Sequence, residues 1–330
     1  MEVNETEAFE LDHQADVGAA RRRVAVLAAH AGLDNARSND AALITTELAS
    51  NIIKHARHGG MLLGCVERGD VRGVSITAWD RGPGMDVDAC LRDGMSTAGT
   101  AGVGLGAIQR IASAWDAHTR QGVVVSAYVF PRGERGKPSL DIAGVSVPYP
   151  GLPRSGDAWA SHESGDKVTV IVCDGLGHGA GAVTASRAVI AAFAAHAEEE
   201  PKHILQHAHA AARATRGAAA TVVRIDRKTR DATVAGVGNV AAWIVGDTAR
   251  QLVTQHGTLG QVTPALREEH YAFPPNATLV LASDGLKTRI PLDDHRELLA
   301  RTSLTVAATL WRDYARGRDD ATAVVLREVR

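Results

Sequence analysis

Asp174 ends the apolar run 170–173 and opens a stretch, DGLGHGAG, in which glycine recurs at every second position. A carboxylate on a turn so poor in side chains suits two chemistries. Either the glycines bring backbone N–H groups up to a phosphate, as in nucleotide loops, or the carboxylate holds a metal and the glycines clear space around it. A hard divalent cation wants several oxygen ligands, so the second chemistry requires partners at other strand ends. They are present. LVLASDGL delivers Asp284 and a glycine from an apolar strand, RGRDDATAVVL sets Asp319 and Asp320 just before a β-branched strand, and RSGDAW places Asp157 after a glycine. Asp-Gly is also a favoured hairpin dipeptide. Turn chemistry alone, however, does not need DGLGHG to run directly into a long alanine-rich helix.

A second set lies nearer the N-terminus. Glu47 and Asn51 stand one helical turn apart within NDAALITTELASNIIKHA (39–56), on a face offset from the Ile44, Leu48, Ile52 stripe. Carboxylate and carboxamide together suit a hydrated magnesium, the amide as a neutral oxygen ligand and the acid as acceptor of a proton from an attacking group. Such pairs are also commonplace on outer helix faces. In WDRGPGM (79–85), Asp80 ends a strand and is followed by Gly82 and Gly84. A strand-end acid accepts a hydrogen bond from an exocyclic amine such as that of adenine, and glycines let a flat base approach; the alternative is a simple hairpin turn. GVGLGAIQRIA (102–112) runs Gly102, Gly104 and Gly106 into a helix, where exposed N–H groups and the helix dipole favour phosphate. The triplet also fits a dinucleotide fingerprint, but that needs a preceding parallel strand and an acid about twenty positions on. The polar CLRDGMSTAGTA precedes it instead, and the acid is missing.

The elements that must carry these residues fall into two groups. PRGERGKPS (131–139), with its prolines, glycines and charges, reads as a linker between domains 1–130 and 140–330. The first domain is expected to hold helices at 17–31, at 39–56 (capped by Ser38 or Asn39) and from about 107, with strands at 61–67, 74–80 and 123–130. The second is dominated by strands at 142–147, 168–173, 219–225, 232–237, 241–245, 278–282 and 322–327, with helices at 180–197, 202–215 and 295–315. Net charge is −2, which gives no general pull toward nucleic acid or an anionic membrane. Three scattered cysteines, Cys65, Cys90 and Cys173, argue for a reducing compartment and against a disulfide framework. The polar N-terminal stretch is unlike a signal peptide and the most apolar helix, 188–197, is too short to span a bilayer, so a cytoplasmic protein is expected. His203 and His207 stand one turn apart with His196 and His209 nearby; without a matching Cys or Glu motif they read as an exposed helical face rather than a zinc site.

In order, ELASNIIKHA, DRGPGM and GVGLGAIQRIA resemble the adenine and phosphate boxes of the GHKL ATPase superfamily, within it the serine kinases of the RsbW/RsbT type. That resemblance implies a Bergerat-type α/β sandwich binding ATP with magnesium. It makes Glu47 the base, Asn51 the magnesium ligand and Asp80 the reader of adenine, with Gly82, Gly84, Gly102, Gly104 and Gly106 around the nucleotide and 86–101 as a lid. SGDAW, VIVCDGLGHGAGAVTAS, LASDGL and RDDATAVVL resemble the SpoIIE/RsbX branch of the PPM protein phosphatases. The fold implied is a β-sandwich flanked by helices, with two manganese or magnesium ions. Asp174 would bridge both, the Gly175 carbonyl would help hold one, Asp284 and Asp319 would complete the other, and Asp157 matches an upstream acid. Asp320 orients rather than ligates. His178 is either a partner of the leaving group or a loop histidine. Gly238-Asn239 replaces the glycine-histidine turn of the family, which puts a substrate contact there in doubt.

The combined expectation is a two-domain α/β regulator of partner switching in stress-response signalling. It would dephosphorylate phosphoserine or phosphothreonine on a STAS-domain protein of the anti-anti-sigma type and carry an ATP-dependent serine/threonine kinase-like N-terminal half, with a sigma factor or signalling scaffold as a further partner. The alternative is an N-terminal half that is a partner-binding and sequestering module, or an ATP sensor, without kinase activity, and that regulates the phosphatase.

Overall fold

The computed structural model describes residues 6–56, 58–69, 71–87, 90, 104–133, 140–263 and 265–329. Two compact units divide the chain, one of Thr6–Pro138 with Ala300–Thr309, the other of Ser139–Leu299 with Leu310–Arg330. Among the described residues no helix is long and apolar enough to cross a membrane.

The first unit carries an antiparallel sheet in the order β1-β2-β3-β5-β4, from Thr6–Glu10, Gly59–Arg68, Val71–Asp80, Ala114–Thr119 and Val123–Val129, with β5 between β3 and β4. Side-chain alternation sets one apolar face: Met61 and Leu63, then Val74, Ile76 and Ala78, then Val123, Val125, Ala127 and Val129. Against that face pack Val17, Ala20, Val24 and Leu27 of α1 (Gln14–His30), Ile44, Leu48 and Ile52 of α2 (Asn35–His55) and Leu105 and Ile108 of α3 (Gly104–Ile111). The cap of α2 is Asp34, whose carboxylate accepts from the Arg37 N–H at 2.7 Å, so the helix starts a turn before the expected Ser38 or Asn39. Arg37 itself is buried. Its guanidinium donates to the Phe130 and Ile111 carbonyls at 2.7 and 2.8 Å, to Ser113 Oγ and to Asp40, tying α2 to the chain on both sides of the β4–β5 hairpin.

The second unit is a sandwich of two antiparallel sheets, β13-β10-β9-β8-β7 and β12-β11-β14-β15-β6. β7 is Asp157–Ser164, β8 Lys167–Gly175, β9 Ala218–Asp226 and β10 Asp231–Val237; β13, Glu269–Ala272, is the edge. The facing sheet uses β6 (Leu140–Val147), β11 (Ala241–Val245), β12 (Ala249–Gln251), β14 (Thr278–Ala282) and β15 (Ala321–Glu328). Alternation on β8 sends Val168, Val170 and Val172 into the sandwich with Trp159, Val223, Leu279, Leu281 and Val324. Ile171 and Cys173 face the other way, onto Val189 and Phe193 of α4 (Ala180–His196) and Ile204 and Leu205 of α5 (Pro201–Ala212). Gly144 on β6 has no alternative: a Cβ there would lie 2.5 Å from the Trp159 indole. The strand β7 was not among those expected from sequence. The expected helix 295–315 is broken, into a short turn at Arg296–Leu299 and α6 at Ser303–Tyr314.

Candidate functional site

The sandwich delivers its acids at one end. Antiparallel pairing of β7 with β8 sets Asp157 opposite Asp174. Across the sandwich, β14 ends at Ala282, paired with Ala323, so Asp284 just beyond it meets Asp319 and Asp320 just ahead of β15. Glycine spacing permits the approach. A Cβ on Gly285 would lie 1.8 Å from the Asp320 carbonyl oxygen, one on Gly175 would lie 2.2 Å from that of Ala182, and one on Gly156 would lie 2.7 Å from Asp320 Oδ2. Of the alternating glycines after Asp174, Gly175 brings backbone against backbone, Gly181 lies against the Arg216 side chain, and Gly177 and Gly179 take φ of +79° and +76°.

The result is a nest of carboxylates short of counter-charge. Burial pushes the Asp174 carboxyl above its ordinary range, and Asp157 and Asp284 beside it push it further. Asp157, 3% exposed, is raised by burial and pulled partly back by hydrogen bonds from Ser283 and Thr322. Asp284 is raised by burial and by Asp319, against which Arg316 attracts. Asp157 Oδ2 and Asp320 Oδ2 are buried without a hydrogen-bond partner. Buried carboxylates are stable only when protonated, paired or bound to a cation.

Asp320 also has a separate task. Its Oδ1 accepts the Tyr149 N–H at 2.8 Å, anchoring the segment between β6 and β7. His178 is exposed and stacks on Tyr149 with ring centroids 4.8 Å apart. Asn239, in the turn that replaces the family's glycine-histidine pair, belongs to the cluster as a partner of Asp284, a role not read from the sequence: its Nδ2 donates to Asp284 Oδ2 at 2.6 Å. Gly238 at φ +93° makes that reach possible, since a Cβ there would lie 2.4 Å from the Ala219 Cβ.

In the first unit, Glu47 and Asn51 are half-buried and one turn apart on α2. Asp80 ends β3, and its Oδ1 accepts the Gly82 N–H at 2.7 Å and the Val123 N–H at 3.3 Å, fixing the turn. A Cβ on Gly82 would lie 3.9 Å from Ala56, so this turn runs beside the C-terminal end of α2. Gly84 has φ +90° and open space around it. Gly104 and Gly106 lie in the first turn of α3. Gly102 and most of the expected lid, 88–89 and 91–101, lie outside the described residues.

Residues 164–329 match the family model of stage II sporulation protein E (SpoIIE). The chain belongs to the SpoIIE family. Residues 11–128, ahead of the SpoIIE domain, match the histidine kinase-like ATPase domain. No curated protein matches the chain. A solved chain from the bacterial stressosome, described as a modular system adapted to control secondary messenger signalling, is 27% identical. It aligns at a TM-score of 0.53 over 57% of this chain and 99% of its own. RsbX, solved in complex with magnesium, is similar in fold at a TM-score of 0.51, with 22% identity over 58% of this chain and 96% of its own. The SpoIIE domain thus has the PPM phosphatase fold, and the chain ahead of it is of the ATPase type.

The acid nest of the SpoIIE domain fits hard divalent cations on its own terms. Every donor is oxygen, several carboxylates share one desolvated space, and a buried oxygen of Asp157 is left over.

Proposed function

We propose that the chain is a partner-switching regulator whose SpoIIE domain hydrolyses phosphoserine or phosphothreonine on a STAS-domain protein of the anti-anti-sigma type. A sigma factor or a signalling scaffold would be a further partner. The observation that carries this reading is the convergence of Asp157, Asp174, Asp284 and Asp319 from strand ends of both sheets, with more negative charge than the fold itself compensates. Asp174, Asp284 and Asp319, with Asp157 and the Gly175 carbonyl, would hold two manganese or magnesium ions. Those ions, when bound, supply Lewis-acid polarisation of the phosphate and a nucleophilic water at neutral pH. Asn239 steers the Asp284 carboxylate, and Asp320 holds the Tyr149 segment beside the site. The open glycine turn after Asp174 leaves room for a phosphorylated side chain carried on a folded partner. The likeness to a stressosome chain supports a place in signalling.

In the ATPase-type domain, Asn51 would hold magnesium, Asp80 and the glycines at 82, 84, 102, 104 and 106 would contact ATP, and Glu47 would take the proton from a serine or threonine of the partner. The match to the histidine kinase-like ATPase domain supports nucleotide binding.

The test is phosphate release from phosphorylated STAS protein with manganese. Release is expected to vanish in Asp174→Ala and Asp284→Ala; release that survives in both would overturn the reading. For the other half, transfer from labelled ATP is expected to fail in Glu47→Gln. Binding of ATP and partner without any transfer in the unaltered chain would make that half a binding or ATP-sensing module that regulates the phosphatase.

A further inference from the structure

A second convergence of ligating side chains lies away from the acid nest. His196 ends α4, Glu199 lies in the connection to α5, and His207 lies in the second turn of α5. His196 Nδ1 is 2.7 Å from Glu199 Oε1, and His207 Nε2 is 3.2 Å from Glu199 Oε2. The imidazole rings lie face to face, with centroids 3.5 Å apart and planes 1° from parallel. The three ligand atoms lie within 4.8 Å of one another. The His196 and His207 side chains remain 32% and 42% exposed.

The backbone that carries them is fixed. Arg224 donates to the carbonyls of Ala197, at 2.9 Å, and Glu199, and to Thr169 Oγ1 at 3.1 Å, so the connection is bolted to the sheet. The flanking helices are seated by Phe193, Ile204, Leu205 and Ala208. Neutral tautomers donating these two ring N–H groups to Glu199 account for both hydrogen bonds; with the ring protons released, the same three atoms present two imidazole lone pairs and a carboxylate to one divalent cation.

We propose that His196, Glu199 and His207 form a binding site for a borderline transition cation of the zinc class, clipping α4 to α5. Two imidazole nitrogens and one carboxylate are the ligand set of such ions, whereas magnesium and calcium prefer oxygen throughout. Bonds of about 2.0–2.1 Å, with the ion in the plane of each ring, require the two imidazoles to turn out of their parallel stack and the ligand atoms to draw closer than they now stand, a change that side-chain rotation supplies. The two ring nitrogens that face Glu199 give up any proton they carry to solvent as the ion binds. α4 has 17 residues, so the ion would sit roughly 25 Å along the helix from the glycine turn that follows Asp174. The site is therefore a structural clip at the far end of the helix that begins beside the acid nest.

The experiment uses the full, untagged chain, stripped with chelator and then saturated with magnesium to fill oxygen sites. One equivalent of cobalt(II) is expected to give intense visible absorption of nitrogen-ligated, low-coordinate cobalt, and one equivalent of zinc to raise the melting temperature by about 5 °C. His207→Ala and Glu199→Gln are expected to lose both signals while retaining the secondary-structure spectrum of the unaltered chain, and Asp174→Asn to retain both. Absorption that persists in His207→Ala, disappears in Asp174→Asn, or never develops in the unaltered chain would overturn the proposal. If His207→Ala alters the fold, Glu199→Gln, which leaves both helices intact, decides by the same readings.

Discussion

The acid nest of the SpoIIE domain and the polar pair of the ATPase-type domain use the same kinds of side chain in opposite ways. In the first, carboxylates come from strand ends in two sheets and meet because the sandwich closes around Trp159 and Val170. In the second, Glu47 and Asn51 share one helix and need no tertiary structure to be neighbours, while Asp80 spends an oxygen on the N–H groups of Gly82 and Val123. Long-range convergence leaves a physical mark, in buried oxygens without partners and carboxyl groups raised by burial. Local adjacency leaves none. The cation reading therefore rests on folded geometry, and the nucleotide reading rests on motif order and the domain match.

The largest test of that contrast is Asp157→Asn. Because Asp157 is central to one site only, phosphate release is expected to fall by more than the 10–100-fold that loss of an outer partner costs, with binding of a fluorescent ATP analogue unchanged. Equal loss of both would erase the distinction between the regions. Asn239→Ala removes the partner of Asp284 Oδ2 and is expected to weaken metal activation about 10–100-fold, read as the manganese concentration giving half-maximal release. No change would demote Asn239 to a bystander. In the other domain, Arg37→Ala strands two buried carbonyls and Asp40, and a loss of about 3 kcal/mol in urea unfolding is expected; under 1 kcal/mol would contradict its role as the tie between α2 and the sheet.

The smallest effect is in pH. Asp157, Asp174 and Asp284 have folded-state pKa values raised chiefly by burial, so the folded chain holds more protons than the unfolded one. Their stabilising contribution is present below the unfolded-state pKa of about 4 and is lost as pH rises through the folded values. In chelator the melting temperature of the SpoIIE domain is expected to fall from about pH 5 to pH 8, and manganese is expected to flatten that slope. A flat profile in chelator would mean that the acids are already compensated.

Much of this was readable before folding. Asp174 and Asp284 each close an apolar run with an Asp-Gly pair, and strand periodicity placed most of the sandwich. Asn239 was not readable, because its bond to Asp284 spans two turns far apart in sequence and only the closed sandwich aligns them. Glu199 was hidden for a different reason: it sits among Glu198 and Glu200 in the run AEEEP, where sequence cannot say which acid faces the two histidines. Arg224 decides it by gripping the Glu199 carbonyl. β7 escaped because DAWASHES mixes buried and polar residues with no apolar alternation, and β1 because TEAFE reads as an acidic tail. The cap at Asp34 was missed because NARS, the first turn of α2, offers no apolar stripe.

The meeting of Gly285 with the Asp320 carbonyl turns a hydrogen atom into a ruler. The gap between the Asp284 turn and the Asp319–Asp320 turn, neighbours in one sheet, is set by what is missing from one α-carbon, so a methyl group added there would wedge the two turns apart. The proposed hydrolysis would then be silenced from a position that binds nothing, carries no charge and faces no solvent. A chain of this kind can be inactivated with its entire ligand set intact.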